Sequence, residues 1–131
     1  MKVPGKNWLF ECMRVVAAVF FITAGLNHFR SFGFYERIVP PMLPWPGVIV
    51  AVSGVAEMIG GLGLLICRLR RAASWGLIAL LVAVFPANLY MALEPERFAD
   101  LHLSEWILWA RLPVQAVLIA WVWVIGGHKW K

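Results

Sequence analysis

Charge is what this chain has least of. Only 15% of its 131 residues are charged, against about a quarter in ordinary soluble domains. With 62% hydrophobic residues and a mean hydropathy of +0.77, a core this small cannot hide the apolar surface. A soluble fold is excluded, and the excess must face lipid. Cysteine is scarce too. Cys12 and Cys67 stand about 55 residues apart and form no CxxC pair, which argues against a thioredoxin-like site and against c-type haem attachment. Both read as small apolar residues near helix ends, on a face where thiols stay reduced. His28, His102 and His128 lack metal-site spacing, so no metal is expected. A haem held between helices would need two buried histidines, and only His28 lies near the bilayer. No nucleophile–base arrangement and no phosphate loop appears. The net charge of +5 falls in short gaps between apolar runs rather than on one face, so no nucleic-acid partner is expected.

What the chain does have is four apolar stretches, at about 8–29, 46–66, 72–93 and 106–125. Each is ~20 residues, the length of helix that crosses a ~30 Å hydrocarbon layer. A lipid-facing backbone must satisfy its own hydrogen bonds, and segments this long do so only as helices. The expectation is an all-α, four-helix transmembrane bundle forming a single domain over 1–131. The first stretch reads as a retained helix, since no small-x-small cleavage site ends it. Glu11 and Arg14 interrupt its start on one helix face, close enough to pair.

Basic residues set the expected orientation. Lys2, Lys6, Arg68, Arg70, Arg71, Lys129 and Lys131 fall on one side, and only Arg30, Arg37 and Arg97 on the other. By the positive-inside bias both termini are cytoplasmic, in a multi-pass protein of the cell's inner membrane. Trp8, Trp75, Trp121, Trp123 and Trp130 mark the inner boundary, and Trp45, Tyr90, Trp106 and Trp109 the outer. The first outer loop, 30–46, holds Pro40, Pro41, Pro44 and Pro46 and is expected to form no regular helix. The second, Glu94 to Glu105, is acidic and contains His102. The inner connection, Cys67 to Arg71, is short enough to make its flanking helices antiparallel neighbours.

Ionisable groups cost about 2.5–3.5 kcal/mol at mid-membrane on insertion scales, so those inside the spans carry the functional signal. Counting 1.5 Å per residue from the outer ends places Glu57 ~15 Å deep, Gln115 ~13 Å, and Asn88 and Arg111 ~7 Å. Asn27 and His28 sit near the boundary. Ser53 shares a face with Glu57, as Gln115 does with Arg111. Arg111 is the natural counter-ion for Glu57. The inner half holds almost nothing polar, so the expected picture is a dry inner plug beneath a polar cavity open to the outside. Pro86 and Pro113 remove backbone donors in the same outer half, and Gly54, Gly60, Gly61 and Gly63 allow close helix approach. Two readings stay open: the Glu–Arg pair locks helix register, or it serves a ligand or a proton. In the second, Tyr90 and Trp109 give aromatic walls.

The stretches AGLNHF (24–29), SGVAEMIGGLGLL (53–65), VFPANLYM (84–91) and RLPVQ (111–115) hold these polar residues. Through them the chain resembles the DoxX-like family of small four-helix membrane proteins. The resemblance covers nearly the whole chain. It implies a membrane component auxiliary to redox metabolism, linked to sulfur-compound oxidation and the quinone pool, and hence a cavity for a quinone or similar apolar molecule. It supplies no catalytic residues, and any redox cofactor or redox protein partner would come from outside the chain. The rival reading is a non-catalytic scaffold that assembles a partner complex. Solute transport would require self-association, since four helices rarely suffice.

Overall fold

In a computed structural model of the protein, residues 4–101 and 104–126 are described, and all regular structure among them is helical. Lys2, His102, His128, Lys129, Trp130 and Lys131 lie outside the described residues. The helices are α1 (Pro4–Arg30), α2 (Phe32–Ile38), α3 (Pro46–Leu65), α4 (Arg70–Leu93) and α5 (Glu105–Ile125), with a 3₁₀ segment at Pro95–Leu101. Of these, α1, α3, α4 and α5 are long and apolar enough to cross a membrane. The chain is a multi-pass membrane protein.

The span boundaries follow local chemistry. Pro46 opens α3, where its missing N–H would be unsatisfied in any helix. A tight turn between Leu65 and Arg70 leaves α3 and α4 antiparallel neighbours. One expectation is corrected here, because the segment after α1 is not wholly irregular. Residues 32–38 precede the first proline of that loop and form α2, which ends when Pro40 forces Val39 to be extended (φ −68°, ψ 126°).

Around the bundle α1 packs on α3, α3 on α4 and α4 on α5, while α1 and α5 meet lightly. The pairs α1/α4 and α3/α5 are therefore diagonal. Glycines set the first contact: a Cβ on Gly25 would stand 2.6 Å from the Gly54 carbonyl oxygen, and one on Gly61 3.1 Å from that of Ala18. Backbones touch there, as small residues permit in membranes. Gly60 accommodates Leu77 and Gly63 accommodates Ala73 in the same way between α3 and α4.

Two buried clusters divide the interior. Ala17, Phe21, Leu64, Leu77, Leu81, Val122 and Ile125 plug one end. Ile38, Met91, Ala92, Phe98 and Leu108 fill the other, where α2 and the 3₁₀ segment lie. At the plug end two arginines cap helix C-termini: Arg14 Nε donates to the Ile125 carbonyl (2.8 Å) and Arg70 Nε to that of Leu64 (3.0 Å). Arg14 also pairs with Glu11 at 2.6 Å, as its spacing implied. Cys12 and Cys67 are free and exposed.

Candidate functional site

A cavity of about 290 Å³ lies among the four spans, with α2 and the chain beyond it over one end. Most of its wall is apolar: Phe20, Phe21, Ala24, Leu77, Leu80 and Leu118 among others. The polar groups on it are His28, Tyr35, Ser53, Glu57, Asn88 and Arg111. The sequence placed His28, Ser53, Glu57, Asn88 and Arg111 together, and the fold does so.

Their pairing differs from the expectation. Glu57 Oε2 lies 3.1 Å from His28 Nε2, and no ion pair joins Glu57 to Arg111. The cause is the ring order: Glu57 on α3 faces α1 across the glycine contact, whereas Arg111 on α5 is diagonal to it. Nδ1 of His28 lies 3.3 Å from the Val50 carbonyl. A carbonyl only accepts, so Nδ1 carries a hydrogen. Nε2 then faces Oε2 at hydrogen-bond distance, and a proton on either atom would be donated to the other.

Tyr35 is the site residue that sequence reading missed. Its ring stacks on His28 with centroids 4.3 Å apart, and Asn27 Nδ2 donates to its hydroxyl at 2.9 Å. Asn27 thus acts through Tyr35 and does not line the cavity itself. The available signal was spacing, since one helical turn separates Ser31 from Tyr35 and a helix there folds Tyr35 back over α1.

Arg111 is half-buried, and its partner is the thioether of Met91, with Nη1 3.1 Å from Sδ. Sulfur is a weak acceptor, so among the described residues a guanidinium with five N–H groups faces the cavity with most of its capacity unused. Gln115 is buried behind it and forms a link between helices. Its Nε2 donates to the Leu81 carbonyl, and its Oε1 accepts from Asn88 Nδ2 at 2.6 Å. Pro86, having no N–H, leaves the Val82 carbonyl without its helical donor. The donor from α5 instead reaches the carbonyl one residue earlier, whose second lone pair can accept it.

The two aromatics assigned to the walls lie elsewhere. Tyr90 stands edge-on to Phe98 (5.7 Å) in the second cluster, and Trp109 is 45% exposed on the outside of α5. Aromatic character at a membrane boundary fixes depth and not direction. Over the cavity, Ile38, Pro40 and Leu43 join Tyr35 to form a roof, where the sequence suggested an open mouth. Arg37 straps this roof to the 3₁₀ segment. It donates to both oxygens of Asp100 (2.8 and 2.9 Å) and to the Arg97 carbonyl (2.8 Å), and lies over the Phe98 ring. The Asp100 carboxylate holds this guanidinium's pKa above its usual value. Among the described residues no cluster of three or more His, Cys, Asp or Glu could hold a metal.

A family model described as "Domain of unknown function (DUF8561)" matches residues 17–126, which include every residue of the cavity wall. The chain belongs to that family. No curated protein matches it, and no solved structure does.

Proposed function

We propose that this DUF8561 member binds a quinone or a similar lipid-soluble molecule in the central cavity, as an auxiliary of redox metabolism in the cell's inner membrane. The observation that carries the reading is the His28–Glu57 pair, an imidazole and a carboxyl group 3.1 Å apart on an apolar wall, while Arg111 faces the cavity with no carboxylate partner among the described residues. A quinone has two carbonyl oxygens that take hydrogen bonds when oxidised and protons when reduced. His28 or Glu57 offers a donor and a proton to one oxygen. Arg111 and Asn88 offer donors to the other. The volume of about 290 Å³ suits a single substituted ring, at the lower edge of the roughly 300–1,000 Å³ of ligand sites. Electrons would come from a partner protein. The resemblance to DoxX-like proteins supports this reading, and the bias of basic residues supports a cavity toward the outer side with both termini cytoplasmic.

A scaffold would need a filled interior with its buried charges spent on each other. A cavity and an unspent Arg111 favour the ligand. The test is mass spectrometry of molecules retained by protein extracted in mild detergent, for the wild type and Glu57→Gln. Glutamine keeps size and hydrogen bonding but carries no transferable proton. Quinone should co-purify with the wild type and fall sharply in the variant, with little change in thermal stability. A variant that is unstable yet retains quinone fully would make Glu57 a structural residue and sink the reading.

A further inference from the structure

The cavity is closed at both ends of the bundle. The apolar cluster around Phe21 and Leu77 plugs one end. Tyr35, Ile38, Pro40 and Leu43 roof the other, tied down by Asn27 and by the Arg37–Asp100 bridge. The α1–α3 seam is closed as well, where backbones touch at Gly25 and Gly54. At the plug end Leu77 fills the space left by Gly60 between α3 and α4, and Phe20 reaches Trp121 (6.4 Å) between α1 and α5.

The α4–α5 seam is different. A second hollow of about 400 Å³ runs along it, lined by Trp106, Ile107, Ala110 and Val114. Trp106 is 71% exposed and Val114 54% exposed, so this groove faces the lipid. It shares Leu81, Val84, Asn88, Arg111 and Leu118 with the central cavity, so the same side chains wall both spaces. Arg111 stands at that junction with its donors largely unspent.

We infer that the central cavity is loaded sideways from the bilayer through the α4–α5 seam, by an amphiphile whose oxygen-bearing head reaches Arg111 while its hydrocarbon tail lies in the groove. The inference rests on the reading of the cavity as a ligand site and adds the route and the tail. An electron-rich oxygen matches the unpaired guanidinium. A hydrocarbon chain matches the apolar groove, which lipid would otherwise fill. The Asn88–Gln115 bond (2.6 Å) crosses the same seam and is the contact that the head must pass or displace.

The test uses full-length protein in nanodiscs and two probes: a benzoquinone bearing a ten-carbon alkyl tail, and the same ring without the tail. Val114→Trp fills the groove from its lipid side. It should weaken the tailed probe at least about tenfold, the weight of roughly two buried methylenes, and leave the tailless ring almost unchanged. Ala110→Phe fills the groove deeper and serves as a second variant, each checked for a wild-type melting curve. In a Cys12→Ser/Cys67→Ser background, Arg37→Cys and Asp100→Cys joined by a short bis-maleimide lock the roof, and loading should proceed at the unlocked rate. Unchanged affinity for the tailed probe in both groove variants, or loading stopped by the locked roof, would overturn the route while leaving the cavity a binding site. A wild type that binds neither probe would overturn the cavity reading itself, and the route with it.

Discussion

The α1–α3 and α4–α5 seams solve the same problem in opposite ways. On α1–α3, Gly25, Gly54 and Gly61 bring backbone to backbone, and van der Waals contact does the holding. On α4–α5 no glycine lies in contact, prolines 86 and 113 interrupt the helices, and the joints are polar. Ser74 Oγ donates to the Val122 carbonyl (2.9 Å), Gln115 to that of Leu81, and Asn88 to Gln115. Touching backbones leave no space for a guest. Helices held apart by side chains leave a groove, and the unspent charge lies beside it. The candidate site lies among the four spans, with Arg111 and Asn88 on the loosely packed seam and the His28–Glu57 pair on the tight one.

The sharpest way to break this contrast is Gly54→Leu. Its Cβ alone would meet Phe29 at 2.8 Å and the Gly25 carbonyl at 3.1 Å, so α1 must move. A loss on the order of 3 kcal/mol is expected, read as the midpoint of unfolding in a denaturing detergent titration. A near-neutral result would mean that the seam is not close-packed. Next in size is the polar pair on that seam. His28→Ala and Glu57→Ala each strand a partner on the cavity wall and should each cost about 2–3 kcal/mol. The double variant should cost clearly less than the sum, whereas Glu57→Ala with Arg111→Ala should add. Coupling of Glu57 to Arg111 rather than to His28 in such cycles would contradict the ring order.

The α4–α5 seam should give way more gently. Gln115→Leu removes two interhelical hydrogen bonds, worth roughly 0.6 kcal/mol each in membranes, and leaves Asn88 seeking water. A loss of about 1–2 kcal/mol is expected, together with faster exchange of the Asn88 side-chain amide by NMR. A loss matching that of Gly54→Leu would put both seams on equal footing. The smallest effect has the opposite sign. Nothing lies within 4 Å of a Cβ added at Gly76, so Gly76→Ala should stabilise α4 by about 0.5–1 kcal/mol. A loss at Gly76 would reveal a packing partner for that face.

The spans were legible in the sequence because hydrocarbon thickness and backbone hydrogen bonding leave one solution for apolar runs of this length. Glu57, Asn88 and Arg111 were legible for the same reason, since polar groups at such depth must turn inward. Their partners were not. Depth along a helix says nothing of which neighbour stands across from it, and pairing Glu57 with Arg111 by opposite charge concealed that α3 and α5 are diagonal. Tyr35 escaped because its seven-residue helix is too short for periodicity to register and lies beside prolines that dominate the segment. Gly25, which sets the α1–α3 approach with Gly54, drew no notice because a lone glycine in an apolar run resembles any other small residue.

The Arg14 clasp has a consequence for biosynthesis. Arg14 belongs to α1 and Ile125 to the end of α5, 111 residues later, yet the guanidinium of one closes on the carbonyl of the other. Until α5 is inserted that bond has no acceptor, and Glu11, one turn away on the same helix, is the partner within reach. The ring is thus completed only once α5 is in place, with a local ion pair holding Arg14 meanwhile. A chain stopped ahead of Ile125 would keep its earlier helices and lose the stitch that joins α1 to α5.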